Sequence, residues 1–192
     1  MTRTSQNLKM MIVSALFAAL TAILAQIEIP LPYVPISGQT LAVGLTATII
    51  GSYYGAFSML IYAALGAVGV PVFAQFSSGF SVIIGPTGGY IISFIISAFI
   101  IGFILEKVNF SYSIAIVANL IGMVVTLTVG TIQLKYVADL SWSAALAGGA
   151  YPFIIVGIIK AVIAAIVGIN VRQRLIKAQL LPSVKTTVSK TV

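Results

Sequence analysis

The chain has no cysteine, no histidine and only three acidic residues among its 192. Without thiols or imidazoles it cannot build a thiolate or imidazole metal site, a Cys-His pair or a Ser-His-Asp triad. The three carboxylates, Glu28, Glu106 and Asp139, lie far apart and at the edges of apolar runs, so their spacing suggests no acid and base pair. A Gly-x-x-x-x-Gly-Lys-Ser/Thr phosphate loop is missing too, which leaves any ATP-dependent work to another chain. These absences point away from an enzyme, and no metal or cofactor is expected.

What is present is apolar surface. Hydrophobic residues make up 60% of the chain and charged residues 7%, against about a quarter charged in soluble domains. Mean hydropathy is +1.16. A polytopic membrane protein follows. The net charge of +7 does not imply nucleic acid, because the basic residues sit at segment ends and in the C-terminal tail, with no aromatic interleaving of the kind that stacks bases.

Along the chain, the first apolar run, Met10 to Ile27, is long enough to span and reads as a retained first helix rather than a cleaved signal. The stretch from Glu28 to Gln39 holds three prolines and predicts a structured loop. Leu41 to Val70 reads as two short spans divided around Gly51-Ser-Tyr-Tyr-Gly55. The segment from Gly69 to Tyr90 is apolar enough to enter a bilayer and too broken to span it. Irregular backbone at that depth needs protein or a watery cavity to satisfy its amides, so a re-entrant or capping loop is expected. Three further spans are predicted, Ile91 to Leu105, Ile114 to Ile132 and Tyr151 to Val171.

The expected architecture is therefore an all-α integral membrane protein, one compact bundle of six transmembrane helices over residues 1–177. A polar tail over 178–192 is expected to be disordered. Basic clusters at Arg3 and Lys9, at Lys107, and at Arg172, Arg174 and Lys177 place both termini in the cytoplasm by the positive-inside rule. Both broken loops then face outward. The expected location is the cytoplasmic membrane of a prokaryote.

Lys160 lies inside the run from Tyr151 to Ile169, about 14 Å along the helix from Tyr151, too deep for simple snorkelling. A charge near the centre of a span costs about 3 kcal/mol on insertion scales, and ionisable residues there usually mark a site. With no internal anion in evidence, the negative partner is expected to arrive with a ligand. Polar residues of the two broken loops, Gln39, Gln75, Ser77 and Thr87, are candidates for its polar groups. Phe73, Gly88 and Tyr90 are candidates for the pocket wall. Each has a plainer role open to it as a loop bond, turn or interface anchor. On the first span, Ser14, Ala18 and Ala22 line one face and Ala15 and Ala19 lie beside them, a spacing that permits close helix contact within the bundle or with a partner.

Four stretches together resemble a known family: Ile29-Pro-Leu-Pro with Gln39-Thr-Leu, Gly69-Val-Pro-Val-Phe-Ala, Gly85-Pro-Thr-Gly-Gly-Tyr, and Pro152-Phe-Ile with Lys160-Ala. The resemblance is to BioY, the biotin-binding substrate component of energy-coupling-factor (ECF) vitamin transporters, and covers the chain from the first helix to about Val171. It implies a bundle of six membrane helices that binds biotin at its outer side. It also implies docking on a transmembrane coupling protein with two ATPase subunits, which alone use ATP. By the same resemblance Lys160 pairs with the biotin carboxylate, and Ala15 and Ala19, or Ala18 and Ala22, meet the coupling protein.

Two departures from the family pattern stand out. Val156-Gly157 replaces a Gly-Asp pair, so an aspartate that could accept the ureido N–H groups is missing. Gln75-Phe76 replaces glycines after Pro-Val-Phe-Ala, which leaves room for a related ligand. Two rival functions remain: a self-sufficient ion-coupled carrier of a small organic anion, which would normally need an intramembrane carboxylate, and a Ser-Lys enzyme using Lys160 with Ser77, Ser78 or Ser93.

Overall fold

The computed structural model describes residues 3–181. Eight α-helices follow one another: α1 (Arg3–Ala25), α2 (Gln39–Ile50), α3 (Ser52–Ala67), the single-turn α4 (Phe80–Ile84), α5 (Gly88–Lys107), α6 (Tyr112–Val137), α7 (Trp142–Gly149) and α8 (Tyr151–Lys177). Six of them cross the bundle, and α4 and α7 cap it. The stretch α1, α5, α6 and the α7–α8 unit are each long and apolar enough to cross a membrane.

The two remaining passes are short. At 1.5 Å per residue α2 reaches about 18 Å and α3 about 24 Å, less than the roughly 30 Å of a hydrocarbon core. Burial makes this workable, since α2 packs against α1, α3, α5, α6 and α8 and most of its residues are enclosed. Lipid never meets most of its backbone ends, so protein satisfies them.

Between α2 and α3 the break is sharper than the sequence suggested. Gly51 alone forms it, at φ 84, and Tyr53, Tyr54 and Gly55 already belong to α3. Glu106 at the end of α5 secures this junction: its carboxylate accepts from the Ser52 amide (2.8 Å) and the Ser52 hydroxyl (2.6 Å). Nearby, the Arg172 guanidinium donates to the Ile49 carbonyl and lies 3.7 Å from the centroid of the Phe110 ring. A cation–π contact and a helix-end carbonyl thus help hold a buried cation.

The expectation of disorder from 178 onward is corrected at its start. Leu181 is buried with Met10, Ile49 and Ile50, and Lys9 donates to the Gln179 carbonyl at 2.9 Å. Apolar burial, which the polar composition of the tail as a whole concealed, anchors these residues. The rest of the expected tail, 182–192, lies outside the described residues.

At the opposite end sit the two broken segments. Residues 26–38 contain a two-residue antiparallel pair, β1 (Glu28–Ile29) with β2 (Ile36–Ser37). Residues 68–87 contain a 3-10 turn at Ala74–Phe76 and α4, and cap the bundle rather than threading it. Gln26, at the end of α1, ties this cap down. Its side chain donates to the Phe73 carbonyl (3.0 Å) and accepts from the Phe76 amide (3.0 Å), across a turn in which Gln75 and Phe76 both take positive φ.

Several predicted boundaries move: α1 begins at Arg3 rather than Met10, and α8 runs to Lys177 rather than Val171. Gln39 opens α2 instead of closing a loop, and α6 runs to Val137, one turn past Ile132. The cap helix α7 has no counterpart in the sequence reading, since eight residues, six of them serine, alanine or glycine, carry little periodic signal.

Candidate functional site: a cavity beneath the capping loops

Lys160 enters the bundle from α8 and its ammonium reaches α2 and β2. It donates to the Ser37 carbonyl (2.6 Å) and to the Thr40 hydroxyl (3.3 Å). Neither partner carries charge. An ammonium has three N–H donors, so one remains for an incoming acceptor.

The space it faces is a cavity lined by α2, α5, α6 and α8. Its walls are mostly apolar, including Val43, Phe94, Ile101, Leu127 and Phe153, with Ser97, Asn119 and Thr126 placed among them. A second space lies under the cap, bounded by residues 31–35, the 73–77 turn and the 81–87 segment. The two share Val34, Pro35, Gln39, Tyr90 and Phe94, so they adjoin between the capping loops and Lys160. An apolar chamber with a few convergent polar groups is the usual form of a small-molecule site.

Most of the residues expected at the site line one or both of these spaces. Lys160 faces the inner space; Phe73, Gln75, Ser77 and Thr87 face the outer one; Gln39 and Tyr90 face both. Several hold the site as much as they line it. Gln39 donates to the Tyr62 hydroxyl (2.6 Å) and accepts from Ser37 Oγ (2.6 Å), and Tyr62 donates to the Val72 carbonyl of the cap (3.0 Å). The Tyr90 hydroxyl donates to the Gly149 carbonyl at 2.7 Å. The Phe73 ring, 1% exposed, packs edge-on against Tyr62 with 5.5 Å between centroids.

Gly88 does not join them. It lines neither space and lies against the Ile83 carbonyl and the Gln133 amide, where a Cβ would collide with α4. Its role is close packing of α4 on α5. Gln133 was missed by the sequence reading; it donates to the Ile83 and Gly85 carbonyls, both at 2.8 Å, and so closes the C-terminal end of α4. Asn119, Ser97 and Thr126 were missed too, because a single polar residue in an apolar helix gives no hint of which way it faces.

The two alanine faces of α1 separate cleanly. Ala18 is 1% exposed within the main core, and Ala22 packs partly buried against it. Both contribute to packing within the bundle. Ala15 and Ala19 are exposed. None of the serines considered as nucleophiles bonds Lys160: Ser77 Oγ donates to the Ala74 carbonyl, and Ser93 Oγ to the Tyr90 carbonyl. Gly157, where the family pattern carries aspartate, lines the inner cavity, and a Cβ there would meet the Met123 sulfur at 2.5 Å. Met123 fills the room an acidic side chain would need.

Residues 1–177 match the BioY family. The chain belongs to the BioY family. Among its relatives, the biotin transporter BioY2 of Lactococcus lactis subsp. cremoris (strain MG1363) is 39% identical over 155 residues, 81% of this chain and 85% of that protein. The biotin transporter BioY of Thermotoga maritima is 36% identical over 167 residues, covering 86% and 97%. The crystal structure of the S-component for biotin from an ECF-type ABC transporter superposes with a TM-score of 0.80 at 28% identity, covering 90% of this chain and 95% of that one. The structural likeness agrees with the all-helical membrane bundle described above.

Proposed function

We propose that this chain captures biotin as the substrate-specific component of an ECF-type transporter. The Lys160 ammonium carries the reading. It stands in an apolar chamber with neutral partners and one free donor, which suits a carboxylate that arrives with the ligand. The bicyclic ring system would occupy the mostly apolar remainder of the inner space, with the cap from Phe73 to Thr87 closing over it.

Both termini would face the cytoplasm and the cap the exterior, as the basic ends of α1, α5 and α8 favour. The partners would be a transmembrane coupling protein and two ATPase subunits, with Ala15 and Ala19 of α1 as the docking surface. The chain would use no cofactor, and ATP would be spent only by those subunits.

Two measurements test this. Purified chain in lipid nanodiscs should bind biotin, and absence of binding overturns the ligand. Proteoliposomes holding the chain alone should show no accumulation, whereas adding an ECF module and ATP should start it. Uptake by the chain alone under an ion gradient would favour a self-sufficient carrier.

A further inference from the structure

On α6, Asn119 is 4% exposed and yet lines the inner cavity. Both of its amide hydrogens are committed: Nδ2 donates to the Ala115 carbonyl (2.8 Å) and to the Thr48 hydroxyl on α2 (3.1 Å). These two bonds fix which end of the amide is oxygen and where it points. Oδ1 accepts no hydrogen bond among the described residues. Nor is it sealed in, for the closed-off polar side-chain atoms without partners are Glu28 Oε2 and Ser58 Oγ. A buried carbonyl that opens on an apolar chamber and accepts nothing is an incomplete arrangement.

Neighbouring hydroxyls are engaged elsewhere. Ser97 Oγ bonds the Gly122 carbonyl (3.0 Å) and Thr126 Oγ1 (2.8 Å), so the pair's donors can be spent on each other and on the backbone. The α2 wall is cut away in front of the oxygen. A Cβ at Gly44 would run into Asn119 Oδ1 and meet the Ala164 Cβ at 2.9 Å. Gly44 is one helical turn beyond Thr40, and Ala164 one turn beyond Lys160, so the oxygen lies about 6 Å deeper than the residues that meet the ammonium. The chamber therefore offers a cationic donor above and a neutral acceptor below.

We infer that Asn119 Oδ1 accepts an N–H of the bound ligand and is a specificity-determining residue. With biotin as ligand, on which this inference rests, the donor is a ureido N–H. Asn119 would then supply, from α6, an acceptor that Gly157 on α8 cannot. A neutral amide accepts without placing a second buried charge in the chamber.

The test compares biotin with its two mono-N-methyl ureido analogues by calorimetry, on wild type and on Asn119→Leu in nanodiscs. Wild type should prefer biotin to at least one analogue by about ten-fold or more, the scale of one hydrogen bond made in a buried site. Asn119→Leu should weaken biotin binding and erase that preference, leaving the analogue's affinity little changed. Asn119→Ala removes the same oxygen with a smaller side chain that adds no bulk between α2 and α6. It should shrink the preference too, and it stands in if thermal melting finds Asn119→Leu unfolded. An undiminished preference in the folded variants overturns the inference alone. Wild type that binds neither biotin nor analogue overturns the biotin reading and this inference together.

Discussion

Lys160→Met keeps an unbranched stem of similar length and deletes the ammonium. Two of the three N–H donors are held by Ser37 and Thr40, at 2.6 and 3.3 Å, which leaves one for the ligand. A charge-assisted hydrogen bond is worth about 1.5–3 kcal/mol, or roughly 10- to 150-fold in Kd. The substitution also strips the Ser37 carbonyl of a partner, which costs stability in the free and bound protein alike. Comparing biotin with biotinamide on each protein removes that common term. Wild type should prefer the acid by at least about ten-fold, and Lys160→Met should bind acid and amide equally and weakly. Calorimetry is the suitable assay, because Trp142 lines neither cavity and is half-exposed on α7, so its fluorescence need not respond. A variant that still prefers the acid, or a wild type indifferent to it, would refute the proposed ion pair.

Three further predictions follow from the same packing. Ala15→Trp and Ala19→Trp should leave biotin affinity within about two-fold of wild type and reduce co-purification with the ECF module, whereas Ala18→Trp, forced into a filled core, should cost about 1–3 kcal/mol and lower the melting temperature; equal effects from all three would mean that exposure does not select the docking face. Glu106→Ala leaves the Ser52 amide and hydroxyl unpaired at the start of α3, so thermal stability should drop by about 1–3 kcal/mol while Kd for biotin, bound at the far end of the bundle, stays unchanged. Gln26→Leu cuts both bonds that pin the 73–76 turn, and biotin should dissociate about five- to ten-fold faster by stopped-flow chase, with little change in uptake of ligand at saturation; an unaltered off-rate would show that the cap is held by its apolar contacts alone.

Composition and hydropathy by themselves determined that this is a polytopic helical membrane protein, because no soluble fold tolerates so few charges. The order of the long spans was legible for the same reason, as was the interruption at Gly51. A lysine in the middle of an apolar run singled out α8 as the candidate site helix, since burial of a charge needs a cause. Tertiary structure alone decided the rest. Whether Gln39 lies in a loop or opens α2 depended on which backbone groups the surrounding helices satisfy, and the short α2 exists only because five neighbours enclose it. The two alanine faces of α1 are alike in sequence, and packing alone buried Ala18 and exposed Ala15. Asn119 reads as one polar residue among apolar ones until the fold sets it in the cavity wall, fixes both of its hydrogens and leaves its oxygen open. A one-dimensional pattern records how apolar a position is; only the assembled bundle assigns each polar atom a partner or leaves it without one.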